Sequence, residues 1–171
     1  EWAQQVFPTL PKKAAVDSLW EAILTTARVT DDPIKAWNEH NKNLLDRCNY
    51  LNSLNIDYLE YKSSNGTDFK VGLMNESVWC GGGETTIGGV YFNPNMPTEE
   101  CFTSPKKGLA EGKVVATKPL SYNGELIENF YFIFKEGKVV ECHAERGEEL
   151  LKQMISMDEG AAYLGECALV P

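Results

Sequence analysis

Two adjacent carboxylates, Glu99 and Glu100, lie in the proline-rich stretch NPNMPTEECFTSP, residues 93–105. A carboxylate can act as a metal ligand or as a general base, and both roles require a side chain that is held in place before a substrate arrives. Each proline fixes its backbone φ angle, so the three prolines of this stretch predict a stiff loop. We therefore expect the loop to hold a carboxylate in a fixed position before a substrate binds.

Glu166 is a third candidate, because it follows a helix-like segment and opens the apolar, strand-like run CALVP. A carboxylate with a half-buried backbone needs a cation or a buried partner that offsets its lost hydration. Residue types alone nevertheless favour a plainer interpretation, in which all three glutamates are solvated surface groups among 25 acidic residues. Both interpretations stay open at this point.

Other motifs are weaker candidates for chemistry. The glycine triplet at 81–83 lacks the Lys-Ser/Thr and the helix start of a phosphate loop, so we interpret it as a tight strand connection. His40 and His143 each lack a second histidine within helical or hairpin reach, which favours hydrogen-bonded structural roles. Cys142 and His143 are neighbours on a predicted strand, so they should face opposite sides of the sheet and form no nucleophile pair.

Composition argues against several classes of partner. The chain has 171 residues, enough to bury a core, and its 16 basic and 25 acidic residues give a net charge of −9, which repels nucleic acid and anionic lipid. No run approaches the roughly 18 apolar residues that a membrane span needs. The five cysteines are scattered and form no CxxC pair, so we expect reduced thiols in a cytoplasmic protein rather than disulfides or a zinc knuckle.

The N-terminal third, which precedes the candidate carboxylates, predicts two helices. Apolar residues recur every three or four positions between Lys12 and Arg28, which is typical of an amphipathic helix. A second helix is expected from Pro33 to about Leu54, with Asp32 as its N-cap. The face of this second helix that we expect to be buried carries Ile34, Trp37, Leu44, Leu45, Cys48 and Leu51.

Beyond these helices the apolar pattern changes to period two, which predicts strands. Asn-Gly dipeptides at 65–66 and 123–124 are strong hairpin signals, so the strands should be antiparallel. Helical spacing returns in RGEELLKQMIS, and Asp158 is expected to cap a further short helix, EGAAYLG. We therefore predict an α+β fold, with a helical segment over 1–54 and a mainly antiparallel, barrel-like sheet over 55–171 that carries a helical insertion near the C-terminus.

Several segments, taken together, resemble the thermophilic metalloaminopeptidase family M29, the family of aminopeptidases T and S. They are NMPTEECFTSP, TKPLSYNGELIENF, KVVECHAERGEELLKQMISMDEGAAYLGECALVP, and upstream AWNEHNKNL with GTDFKVGLM. The similarity runs almost end to end and keeps order and spacing, which is more specific than any isolated motif.

The resemblance implies a cytoplasmic, homodimeric aminopeptidase that removes N-terminal amino acids from peptides with a free N-terminus. It implies a water activated by two divalent ions, which could be zinc, cobalt, manganese or magnesium. Glu100 and Glu166 match metal ligands of the family, and Glu99 is expected to have a structural or supporting role. The other ligands, two histidines and an aspartate, and the catalytic residues are expected C-terminal to the LGE motif.

The ends of the chain suggest a partial catalytic domain. It starts on Glu1 without a methionine and stops in LGECALVP, so we expect an upstream lobe and a C-terminal ligand segment to belong to a longer protein. With part of the ligand set missing, the piece alone should bind metal weakly and be inactive. Two alternatives stay open: a non-catalytic binding or assembly piece, and a glycosidase-type hydrolase that uses Glu100 and Glu166 as an acid/base pair.

Overall fold

The structure is a computed structural model that describes residues 1–170. Its contacts separate two units. Unit 1 comprises residues 1–50, residues 80–101 and the chain from Leu169 onward, and unit 2 comprises residues 51–79 and 102–168. Glu100 belongs to unit 1 and Glu166 to unit 2, so each candidate ligand is described within its own unit.

The predicted N-terminal helices form close to the expected limits. The helices are α1 (Trp2–Val6), α2 (Lys12–Thr26), α3 (Pro33–Ser53) and, after the strands, α4 (Glu148–Met154). Asp32 caps α3 as expected, because its Oδ1 accepts a hydrogen bond from the Lys35 amide at 3.0 Å. None of the helices within residues 1–170 is long and apolar enough to cross a membrane.

The buried face of α3 differs from the predicted one. Trp37, Leu44 and Cys48 are buried as expected, but Ile34 is 75% and Leu45 is 55% exposed. The fourth buried residue of α3 is Asn41, which sequence reasoning left out because it is polar. Its burial is tolerated because its amide exchanges two hydrogen bonds with the amide of Asn93, at 3.0 and 2.9 Å.

Antiparallel strands make up most of unit 2. The strands of the chain are β1 (Tyr58–Lys62), β2 (Asp68–Leu73), β3 (Glu84–Thr85), β4 (Tyr91–Phe92), β5 (Cys101–Thr103), β6 (Pro105–Val115), β7 (Leu120–Tyr122), β8 (Glu125–Lys135), β9 (Lys138–Arg146) and β10 (Cys167–Leu169). The large sheet has the order β1-β2-β6-β8-β7, with β9 also paired to β8. Two small pairs, β3 with β4 and β5 with β10, complete the pairing of the described strands.

The fold is therefore mixed, with mainly antiparallel sheet, but the predicted barrel-like closure is not confirmed, because the large sheet of the described residues stays open. The hairpin between β7 and β8 turns at Asn123 and Gly124, which both have positive φ, as the Asn-Gly signal indicated. The short helix predicted for EGAAYLG is wrong. Asp158 Oδ1 instead accepts bonds from the amides of Gly160 and Ala161, which closes a turn.

A row of aromatic side chains crosses the sheet of unit 2. Neighbouring rings along this row lie 5.2 to 6.2 Å apart between centroids, in tilted or edge-on contacts. The row consists of Tyr61, Phe69, Phe134, Phe132 and Phe130. Gly112, on β6 opposite Phe69, has a φ of +100°, and a Cβ there would lie 2.2 Å from the Asp68 carbonyl oxygen. Only glycine lets β2 and β6 approach this closely.

Candidate metal centre

The loop predicted for residues 93–105 ends at Glu100 in the structure, because β5 begins at Cys101 and Pro105 already belongs to β6. The side chain of Glu100 is half-buried. The next residue, Cys101, is buried, and its thiol donates to the carbonyl oxygen of Leu44 on α3 at 3.7 Å. On the other side of Glu100, the loop contains a cis peptide bond between Met96 and Pro97. Helix α3 therefore anchors the end of the loop that carries the candidate ligand.

Gly81 packs directly against the main chain of Glu100. A Cβ at position 81 would lie 2.5 Å from the Glu100 carbonyl oxygen and 3.4 Å from the sulfur of Cys48. Backbone atoms cannot yield as a flexible side chain can, so a glycine is needed here. The sequence identified the triplet at 81–83 as a tight connection, but it gave no signal that the triplet supports the carboxylate loop.

Glu99, the other glutamate of the loop, forms an ion pair with Arg28. Arg28 Nη2 donates to Glu99 Oε2 at 2.7 Å, and Nη1 donates to Oε1, which makes the pair bidentate. The hydrogen bonds from Arg28 lower the pKa of Glu99 despite some desolvation. They also raise the pKa of Arg28. This pairing agrees with the structural role expected for Glu99.

Glu166 directly precedes β10 and lines a cavity of about 550 Å³ within unit 2. Its side chain is exposed. Phe69 and Val114 contribute to the apolar part of the cavity wall. Beside Glu166, the buried Cys167 sulfur lies 3.4 Å from the hydroxyl of Tyr61, and burial followed by this contact raises the pKa of Tyr61. Glu166 is thus a solvated carboxylate at the edge of a partly apolar cavity.

His143 has the hydrogen-bonded role expected of a lone histidine. Its Nδ1 lies 2.5 Å from Glu148 Oε2. Glu148 also accepts bonds from Lys152 Nζ at 2.7 Å and from the Ala144 amide at 3.1 Å. Cys142, on the opposite face of β9, packs against the apolar cluster of α4 and the sheet. The two neighbours therefore form no nucleophile pair, as the alternation of a strand predicted.

Glu100 and Glu166 are of a chemical type that binds divalent ions, but two carboxylates are too few for a complete metal site. Carboxylate oxygens are hard donors, which magnesium, manganese and zinc accept. The ion pairs described within unit 1 and within unit 2 involve neither Glu100 nor Glu166. Within each unit, therefore, no described lysine, arginine or histidine pairs with either carboxylate. Among residues 1–170, no group of three or more histidine, cysteine or acidic side chains is arranged to hold a metal ion. The described residues therefore contain two candidate donors and no complete metal-binding group.

Comparison with known families identifies a class of metal-dependent proteases. The family described as Thermophilic metalloprotease (M29) matches residues 1–171. This chain belongs to the M29 thermophilic metalloprotease family, as the resemblance in the sequence implied.

Individual relatives of this chain are named aminopeptidases. The chain is 49% identical over 171 residues to Aminopeptidase 2 of Geobacillus stearothermophilus and 47% identical to Aminopeptidase T of Thermus thermophilus. These alignments cover 99% of this chain but 41% and 42% of the relatives, so the chain spans about two fifths of their length. The solved structure of wild-type AmpT from Thermus thermophilus matches with a TM-score of 0.88 and 46% identity, over 99% of this chain and 41% of that one.

Proposed function

We propose that this chain forms part of the catalytic region of an aminopeptidase that removes N-terminal amino acids from peptides. The observation that carries the proposal is the family match over residues 1–171, together with relatives that are named aminopeptidases at 44–49% identity. Peptides with a free N-terminus are the proposed substrates, and a cytoplasmic location belongs to the same proposal.

Glu100 and Glu166 are the residues that we propose as metal ligands. When bound, two divalent ions would supply a water of lowered pKa and a positive charge that polarises the scissile carbonyl. The contribution of this chain is to hold the carboxylates. In unit 1, the loop before β5 carries Glu100, and its neighbour Glu99 is paired with Arg28. In unit 2, Glu166 lies at the edge of the cavity.

The test of this function uses the longer protein that contains this chain, assayed for hydrolysis of amino-acid anilides with added cobalt or zinc. Glu100→Gln and Glu166→Gln should each reduce kcat/KM by about 100-fold or more, because each removes a charged ligand. Glu159→Gln, at an exposed bend, is the matched control and should keep full activity. Full activity in both ligand variants would overturn the proposed roles, and hydrolysis of chromogenic glycosides in place of anilides would favour the carboxylate-pair hydrolase.

The 171-residue chain by itself should be inactive, since the ligands described in it are too few for a two-metal site. The same anilide assay measures this, and robust turnover by the chain alone would contradict it.

The proposal includes a homodimer. Within unit 1, Trp20 is 58% and Leu24 is 43% exposed on α2, and exposed apolar surface of this kind favours association. Sedimentation of the longer protein should give twice the monomer mass, and a monomer at micromolar concentration would contradict this part of the proposal.

A further inference from the structure

Arg28 occupies a backbone position at which glycine is usual. Helix α2 ends in a Schellman motif, in which the Val29 amide donates to the Leu24 carbonyl at 2.9 Å and the Arg28 amide donates to the Thr25 carbonyl at 3.1 Å. The residue in the left-handed position of this motif is Arg28, with a φ of 55°. A side chain is unfavourable there, so the conformation suggests that the arginine side chain has a role that glycine could not fill.

The guanidinium of Arg28 lies between a buried tryptophan and the loop. Besides its two bonds to Glu99, the group lies 5.8 Å from the ring centroid of Trp37, within cation–π range. Trp37 is buried, and its Nε1 donates to the Ala27 carbonyl at 2.8 Å. Helix α3 therefore binds the end of α2 and fixes where the guanidinium lies.

His40 holds the main chain of the same loop. One turn along α3 from Trp37, its Nε2 donates to the Thr98 carbonyl at 2.6 Å. The same nitrogen lies 3.7 Å from Glu99 Oε2. The ring contacts Trp37 edge-on, with 5.7 Å between centroids. His40 thus fixes the backbone at Thr98, while Arg28 fixes the side chain of Glu99.

We propose that Arg28 and His40 are positioning residues for Glu100: they fix the two preceding residues, so that the side chain of Glu100 leaves the backbone in one direction. Because peptide units are planar, fixing Thr98 and Glu99 leaves few soft torsions between the anchored loop and Glu100. The buried Cys101 fixes the chain on the other side. The inference rests on the proposed ligand role of Glu100, which gives that direction its importance.

The first test measures backbone order in the metal-free chain by ¹⁵N relaxation. Order parameters at Thr98 and Glu100 should be about 0.85 in the unaltered chain and fall towards about 0.6 in Arg28→Met. Arg28→Lys should restore part of the order, because lysine keeps the charge but not the bidentate geometry. Arg28→Gly should loosen the loop equally while leaving the end of α2 intact, since glycine suits the positive φ.

His40 is tested by a pair of variants. His40→Gln keeps a donor that can reach the Thr98 carbonyl, whereas His40→Phe keeps a ring without a donor. The loop should be ordered in the glutamine variant and mobile in the phenylalanine variant.

Two control variants match the chemistry without touching the loop. Lys42→Met removes an exposed ion pair with Asp46 on the same helix. Asn55→Gly replaces another residue of positive φ, just beyond the end of α3. Both should leave the order parameters at Thr98 and Glu100 unchanged.

The second test follows Mn²⁺ binding by the paramagnetic broadening of the Glu100 amide signal. The Arg28→Met variant should require about tenfold more Mn²⁺ for equal broadening, because loss of a residue that orients a metal ligand typically weakens metal binding by that factor. An ordered loop in Arg28→Met, Arg28→Gly and His40→Phe would overturn the positioning role. A loop that loosens in these variants while Mn²⁺ never broadens Glu100 in the unaltered chain would support the positioning of the loop and refute the metal role of Glu100. The two failures are therefore distinguishable.

Discussion

Glu99 and Glu100 are neighbours in the sequence but have different surroundings. Arg28 engages both oxygens of Glu99 and lowers its pKa. Glu100 is half-buried and takes part in no ion pair described within unit 1. A carboxylate without a protein cation is the one that remains available to a metal ion. This difference supports the ligand role proposed for Glu100, which came from the resemblance to the family.

The sequence could propose these glutamates but could not distinguish their surroundings. Arg28 and Glu99 are 71 positions apart, and no local pattern couples them. The same holds for His40 and Thr98, 58 positions apart. The resemblance to the family supplied the candidate ligands, whereas the contacts that hold their loop emerge only from tertiary structure.

Glu148 gives a prediction for the pH dependence of stability. The hydrogen bond from Lys152, followed by the bond from the Ala144 amide, lowers the pKa of Glu148 from 4.5 to about 2. A carboxyl whose pKa is lower in the folded state stabilises the fold above its ordinary pKa, and this contribution is lost as the pH falls towards 2. Glu148→Gln should therefore lower the Tm at pH 7, and the difference from the unaltered chain should shrink as the pH falls from about 4.5 to about 2.

Thermal unfolding followed by circular dichroism measures this difference, with Glu159→Gln as the control. A Tm difference that stays constant between pH 7 and pH 2 would show that the ionised carboxylate is not its source.

Helix α3 is the element that organises the candidate loop. Its buried face carries His40 and Leu44, which bond to the loop and to Cys101. The limits of α3 were predictable because the cap at Asp32 and the helical period are local signals. Its buried face was only partly predictable, since Asn41 is buried through bonds to Asn93, 52 positions away.

Gly81, in the glycine segment before β3, gives a prediction about the stability of the fold. Gly81→Ala should lower the free energy of unfolding by about 1–3 kcal/mol, because the added Cβ would overlap the Glu100 carbonyl oxygen. Gly88→Ala is the matched control, since its nearest atom would be Thr86 Oγ1 at 3.8 Å. Urea denaturation measures both variants, and equal stability for the two would contradict the close contact between Gly81 and the loop.

The aromatic row is the corresponding feature of the sheet in unit 2. Phe134 is buried and contacts Phe69 and Phe132, so Phe134→Ala should cost about 3–5 kcal/mol of unfolding free energy. Val140→Ala, at a position 59% exposed on the adjacent strand, should cost less than about 1 kcal/mol. A cost below 1 kcal/mol for Phe134→Ala in urea denaturation would show that the row contributes little to the core.

For the whole molecule, most of the order of elements was predictable and the closure of the sheet was not. Periodicity and Asn-Gly turns are local and gave α2, α3, α4 and the hairpins at the Asn-Gly dipeptides, whereas the helix expected at EGAAYLG is a turn. Whether a sheet closes depends on the tilt and stagger of strands, which local patterns do not encode. The family match covers residues 1–171, yet those residues span about two fifths of the relatives' length. The aminopeptidase activity of a whole protein of that length is accordingly a proposal.

The central claim is that Glu100 and Glu166 bind divalent metal, and calorimetric titration of the 171-residue chain with Mn²⁺, Co²⁺ or Zn²⁺ tests it most directly. We predict weak binding that Glu100→Gln and Glu166→Gln each reduce by about tenfold or more, and that Glu159→Gln leaves unchanged. Binding that is equal in all three variants would contradict the claim, because the metal would then be held by other carboxylates of an acidic surface.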